Sequence, residues 1–139
     1  MRDELRALGH ETDEVEAAVA ECAERLYLDD LGLGRVLAER LRARAGASRV
    51  QIRRKLRERR LEEAAIEAVL AEIDDEAEQE SLRAAAEQRA EKLRGLDRVT
   101  AERRLLGFLA RRGWSGEAAV RAARSALEGN ESSEGVRFR

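Results

Sequence analysis

The sequence contains no proline, so nothing in it forbids a backbone hydrogen bond, and helices can run wherever the side chains favour them. Aromatic residues are only 3% of the chain, which leaves Tyr27, Phe108, Trp114 and Phe138 as the only such rings. Base-stacking recognition of single strands uses several aromatic platforms, so this scarcity argues against it. The lone cysteine, Cys22, excludes an internal disulfide, and with a lone histidine, His10, no soft metal site can be assembled. No run approaches the roughly 18 apolar residues of a membrane span, and the N-terminus lacks the apolar stretch of a secretory signal. There is no phosphate loop of the G-x-x-x-x-G-K-[ST] type. The acidic run Asp74, Asp75, Glu76, Glu78 and Glu80 has neither a glycine-bearing calcium loop nor a nearby nucleophile, and reads as a solvated, helix-capping segment. These absences lead us to expect a cytosolic protein that is not an enzyme and takes no cofactor or metal.

What is present is an abundance of Ala, Leu, Glu and Arg, the strong helix formers, which predicts an all-α fold. At 139 residues the chain suits one domain or a short array of modules, able to bury roughly two thirds of its unfolded surface. An apolar motif recurs three times. Leu5, Leu56 and Leu109 align at spacings of 51 and 53 residues, followed by His10, Leu61 and Trp114. Then come Val15, Ile66 and Ala119, next Val19, Leu70 and Ala123, and finally Cys22, Ile73 and Ala126. Each copy reads as two amphipathic helices joined at Gly9, Arg60 or Gly113. Such units cannot bury their apolar faces alone and stack into an elongated array.

The boundaries follow from turn chemistry. A first helix is expected over Arg2 to Leu8, stopping at Gly9, and a second over Thr12 to Arg25 with Thr12 as N-cap. Tyr27-Leu28-Asp29-Asp30 is expected as a turn, before a third helix that carries Leu33, Val36, Leu37 and Leu41 and ends at Gly46. Ser48 and Gln51 form an S-x-x-Q capping box for a helix with Ile52 and Leu56 inward. Glu62 to Ile73 follows, then a long helix capped by Asp74 and Asp75 that ends near Gly95. A helix over Arg98 to Arg112 and one from about Ser115 to Leu127 complete the series. Glu128 to Arg139 has the composition of a mobile tail. Three-helix units are thus expected at 27–74 and 75–127, and residues 1–26 form a first repeat lacking its leading helix. Cys22, Trp114 and Phe108 are expected in the core, and His10 at a turn with its ring half-buried.

Net charge is -2, but the signs are segregated. Residues 1–34 hold 10 acidic and 3 basic side chains, and residues 35–60 hold 2 and 11. Residues 62–91 hold 11 and 2, and residues 92–112 hold 2 and 7. Such blocks can pair neighbouring helices, or present basic stripes to an anionic partner. Arg49, Arg53, Arg57 and Arg60 recur at i, i+4, i+8 and i+11 beside the face of Ile52 and Leu56. With Arg54 and Lys55 they form a candidate surface for acidic side chains or for the phosphates of single- or double-stranded DNA. Arg103, Arg104, Arg111 and Arg112 are the equivalent candidates in the third copy. The bland reading is a solvated face neutralised by the carboxylates between Glu62 and Glu80.

Three stretches also carry a family pattern: Tyr27-Leu28-Asp29-Asp30, Ile52-Arg53-Arg54-Lys55-Leu56-Arg57-Glu58-Arg59-Arg60-Leu61, and Leu109-Ala110-Arg111-Arg112-Gly113-Trp114-Ser115. In their order and spacing the chain resembles the RecX family of bacterial recombination regulators. The resemblance implies a protein that binds the RecA recombinase filament, lies in its groove and lowers its ATPase and strand-exchange activities; we expect it to be a monomer. Two departures stand out. Leu31-Gly32-Leu33-Gly34 replaces the family's usual small residue, Arg, Phe and Ala, which predicts a frayed helix start. Arg60 occupies a turn position held by glycine in the other copies, so the turn closes differently there or accepts strain.

Overall fold

The computed structural model describes residues 2–137, with side chains described for residues 9–44 and 46–131. Within them are six α-helices and no strand: α1 Arg2–Ala45, α2 Arg49–Glu58, α3 Glu63–Ala71, α4 Asp75–Glu91, α5 Arg98–Arg111 and α6 Gly116–Arg137. The all-α expectation holds. The solvent-accessible surface is 9999 Å², against roughly 7,200 Å² for a compact monomer of this mass, so the body is extended.

The N-terminal third departs from the sequence reading. Neither Gly9 nor Tyr27-Leu28-Asp29-Asp30 interrupts α1, and Thr12 sits inside the helix rather than capping one. A glycine permits a helix stop but does not compel it; the stop is favoured when the next residue gains by folding back. Leu61 and Trp114 are buried at that position in the other copies, whereas His10 is an exposed helical residue. Folding back would therefore gain no apolar burial. Val15 and Val19 remain 62% and 63% exposed, and Cys22 is exposed rather than a core thiol. The helix is also continuous through Gly32 and Gly34. At Gly34 a Cβ would lie 2.9 Å from Val69 Cγ2, so this glycine allows α1 to approach α3 closely.

Two cores succeed one another along the body. Ala38, Ala47, Ile52, Leu56, Leu61, Ile66, Val69, Leu70 and Ile73 form one, between the second half of α1, α2 and α3. The other draws on α4, α5 and α6, with Leu82, Ala86, Leu105, Leu109, Trp114, Ala119 and Ala123 among its members. The i, i+3 and i+4 recurrence of these residues is what places them on inward faces. Trp114 is 7% exposed, as its motif position predicts. Phe108 is only half-buried at the edge of its core. Beyond Leu127 the expected tail is helical as far as Arg137. Asn130 Nδ2 donates to the Ala90 carbonyl at 2.6 Å, and Arg98 pairs with Glu131 at 3.0 Å, tying this extension to α4 and α5.

Caps set the remaining boundaries. Ser48 Oγ accepts from Gln51 N at 3.1 Å, Asp74 Oδ1 from Ala77 N at 2.7 Å and Asp97 Oδ2 from Thr100 N at 3.1 Å. Asp30, read from sequence as part of a turn, instead accepts from the Glu62 backbone N–H at 2.8 Å and so caps α3 from a distance. The ends of α2 and α5 are alike. Arg60 N donates to Arg57 O and Leu61 N to Leu56 O; Gly113 N donates to Ala110 O and Trp114 N to Leu109 O. Both are Schellman turns, with the residue after the C-cap left-handed, at φ 59° for Arg60 and 89° for Gly113. Arg60 therefore accepts the strain instead of closing the turn differently. A left-handed L-residue costs about 1–2 kcal/mol. Arg60→Gly should accordingly raise stability by about 1 kcal/mol, read as a higher urea midpoint with an unchanged slope.

Candidate partner-binding surface

α2 is the most basic element of the chain, and its stripe faces α3 and the start of α4. Arg49 is committed at every donor group: its backbone N–H bonds the Glu78 carboxylate at 3.1 and 3.2 Å, its Nε and Nη2 donate to the Ile73 carbonyl, and its guanidinium pairs with Asp75 at 3.2 Å. Arg53 grips Glu67 with Nε at 3.2 Å and Nη2 at 3.1 Å. Arg57 does the same to Glu63 at 2.7 and 3.2 Å. These are two-pronged guanidinium–carboxylate pairs, geometries that lysine could not make. Arg35 of α1 forms a further one with Glu72, the C-cap of α3, at 2.5 to 3.0 Å. The basic block at 35–60 and the acidic block that follows it are thus paired with each other.

The other expected residues fall into a different class. Arg54, Arg60, Arg103, Arg104 and Arg111 are exposed and make no ion pair among the described residues. Lys55 pairs loosely with Glu58, 3.4 Å away and one turn on. Arg112 is half-buried. Its guanidinium carbon lies 5.0 Å from the centre of the Phe108 ring, and its carbonyl accepts from Ser48 Oγ. The ten residues thus divide: Arg49, Arg53 and Arg57 bridge helices, while the unpaired Arg54 lines a hollow of about 490 Å³ with Arg53 and Arg57.

Sequence reasoning missed one cleft of about 390 Å³, lined by Arg44, Gln88, Arg89, Lys92, Phe108 and Arg112. Arg44 also lines an adjoining cleft of about 300 Å³ with Arg40, Lys55, Glu58 and Arg59. The one signal in the sequence was Phe108 and Arg112 at i, i+4; Arg44 and Arg89 arrive from other helices. A larger open hollow of about 600 Å³ between α4 and α6 mixes Glu76, Glu80 and Glu87 with Arg83 and Arg121. Among the described residues no group of three or more His, Cys, Asp or Glu is arranged to hold a metal ion. No helix among them is long and apolar enough to cross a membrane.

With this geometry in hand, the α4–α6 core can be compared with known proteins. Residues 76–122 match the family model of RecX, third three-helix domain. Over this segment the chain is similar to a RecX three-helix domain. That agrees with the resemblance read from the motifs, and the matched segment runs through α4, α5 and the first turns of α6. Two curated relatives, from Streptomyces coelicolor (strain ATCC BAA-471 / A3(2) / M145) and Streptomyces lividans, are each named Regulatory protein RecX. Both are 40% identical to this chain over 83 residues, which is 60% of the chain and 44% of each relative. The match thus spans less than half the length of these relatives. No solved structure matches the chain.

The ion pairs ahead of the matched segment have a titration signature. The hydrogen bond from Arg57 holds the Glu63 carboxyl below its usual 4.5, and the one from Arg35 does the same for Glu72. A carboxyl lowered by folding stabilises the fold above its unfolded pKa, and that contribution fades as pH falls through the folded value. Carboxyl-carbon NMR titration should show Glu63 and Glu72 both protonating below an ordinary glutamate. In Arg57→Ala, Glu63 should return to the ordinary range while Glu72 stays low.

Proposed function

We propose that this chain is a non-catalytic cytoplasmic regulator that docks against a RecA recombinase filament on DNA and lowers its ATPase and strand-exchange activities. The observation that carries the reading is the match to a RecX three-helix domain at residues 76–122, standing beside a second helical core of the same motif order. Two successive units at 27–74 and 75–127 give an extended surface suited to bridging or blocking adjacent protomers of a filament. The chain has no phosphate loop of its own, so any effect on ATP hydrolysis must act through the partner's site. The docking residues of this reading are Arg54, Arg60, Arg103, Arg104 and Arg111, which make no ion pair among the described residues. Arg49, Arg53 and Arg57 support the surface by fixing α2 on α3.

Added at saturation to RecA on single-stranded DNA, the protein should lower the steady-state rate of ATP hydrolysis severalfold. An Arg54→Ala, Arg103→Ala, Arg104→Ala variant should lose most of that effect while keeping the wild-type helical circular dichroism. An unchanged hydrolysis rate with the wild-type protein would overturn the reading. Full inhibition by the triple variant would remove these three residues from the contact.

A further inference from the structure

Positive charge is only partly paired along this molecule, and four of the unpaired cations meet in the cleft around Phe108. Nine ion pairs link described residues, yet none involves Arg44, Arg89, Lys92 or Arg112. These four cations line a single cleft with Gln88 and Phe108, and no carboxylate lines it. The guanidinium carbons of Arg89 and Arg112 each stand 5.0 Å from the centre of the Phe108 ring. The ring's negative face holds both cations and offsets part of their mutual repulsion. Both arginines are half-buried, so solvent relieves the rest incompletely. Two guanidinium forks on one aromatic ring, in a cleft without a carboxylate, suit an oxyanion.

The surroundings favour a polymer over a free ion. The cleft is open, and through Arg44 it continues into the neighbouring cleft, where Arg40, Arg59 and Lys55 outnumber the one carboxylate, Glu58. The two clefts belong to successive cores, and the junction between those cores is stiff. Ser48 Oγ bonds the Arg112 carbonyl, and Gly46 lies so close to α4 that a Cβ there would come within 2.6 Å of the Ser81 carbonyl oxygen. Arg112 and Arg44 therefore keep a fixed spacing.

We propose that the junction cleft binds the phosphodiester backbone of a nucleic-acid strand, with Arg89 and Arg112 gripping phosphate oxygens while Phe108 positions them, and with Arg44 leading the strand towards Arg40 and Arg59. The ring serves here as a support for guanidinium groups and not as a platform for bases. This site differs from the α2 stripe, whose arginines are spent on carboxylates. It also stands apart from the recombinase reading, because its test contains no recombinase.

The test is fluorescence anisotropy of a labelled oligo(dT) strand with the full chain over a series of salt concentrations. The wild-type protein should bind with a linear log–log salt dependence, each phosphate neutralised on a single strand contributing about 0.7 to the slope. Arg89→Ala with Arg112→Ala should weaken binding at least tenfold and lower the slope by about 1.4, two phosphates' worth. Phe108→Leu, which keeps an apolar side chain but removes the ring, should weaken binding while leaving the slope unchanged. Thermal unfolding of each variant, monitored by circular dichroism, separates loss of the site from loss of the fold. Arg83→Ala with Arg121→Ala, at the hollow between α4 and α6, should bind like wild type. Undiminished binding by the Arg89 and Arg112 double variant would overturn the proposal. Competition by pyrophosphate at the same charge concentration as the strand would replace the strand with a free phosphate ligand. Equal competition by polyglutamate would overturn phosphate recognition altogether.

Discussion

A single hydroxyl serves two helices at the centre of this molecule. Ser48 Oγ accepts from the Gln51 N–H to start α2 and donates to the Arg112 carbonyl at the end of α5. Its residue is 1% exposed, so both bonds are made away from water, where leaving either partner unsatisfied costs about 1–3 kcal/mol. The geometry also explains an asymmetry between the repeats. Arg60 and Gly113 take the same left-handed position in equivalent turns, but only the second faces another helix. A Cβ at Gly113 would lie 2.5 Å from Ser48 Oγ and 2.9 Å from Val50 Cβ. Arg60 points to solvent, so there the turn tolerates a side chain and bears only the backbone strain.

From that junction the charges follow. In the α2 stripe, folding brings Glu63, Glu67 and Asp75 against Arg57, Arg53 and Arg49. Segregated blocks of opposite sign along the sequence thereby become paired faces of neighbouring helices. Four cations without such partners, Arg44, Arg89, Lys92 and Arg112, line the cleft where α1 ends beside α4 and α5, around Phe108. One mechanism thus accounts both for where positive charge is neutralised and for where it is available to a ligand.

Much of the fold was legible because it rests on local rules. Ile52, Leu56, Ile66 and Leu109 are buried where helical spacing puts them, and Ser48 and Asp74 cap the helices they precede. The readings that differ share a cause. Gly9, the Tyr27–Asp30 segment and the polar composition after Gly129 permit a break, but whether a break forms depends on what the chain gains by turning. His10 offers no burial, Asp30 is engaged by Glu62, and Asn130 finds the Ala90 carbonyl. The binding surface was legible only as a set of arginines. Arg53 and Arg44 look equivalent in sequence, and only the distance of each to a carboxylate on another helix separates support from candidate contact.

The central claim is that the two cores are joined as one body through Ser48, Gly113 and the end of α5. Hydrogen exchange in Gly113→Ala tests it most directly. The added methyl group cannot avoid Ser48, and its left-handed backbone would be strained as well. The account predicts that amide protection falls together in α2, at Ile52 and Leu56, and in α5, at Leu105 and Leu109. Loss confined to α5, with α2 protected as in the wild type, would contradict it.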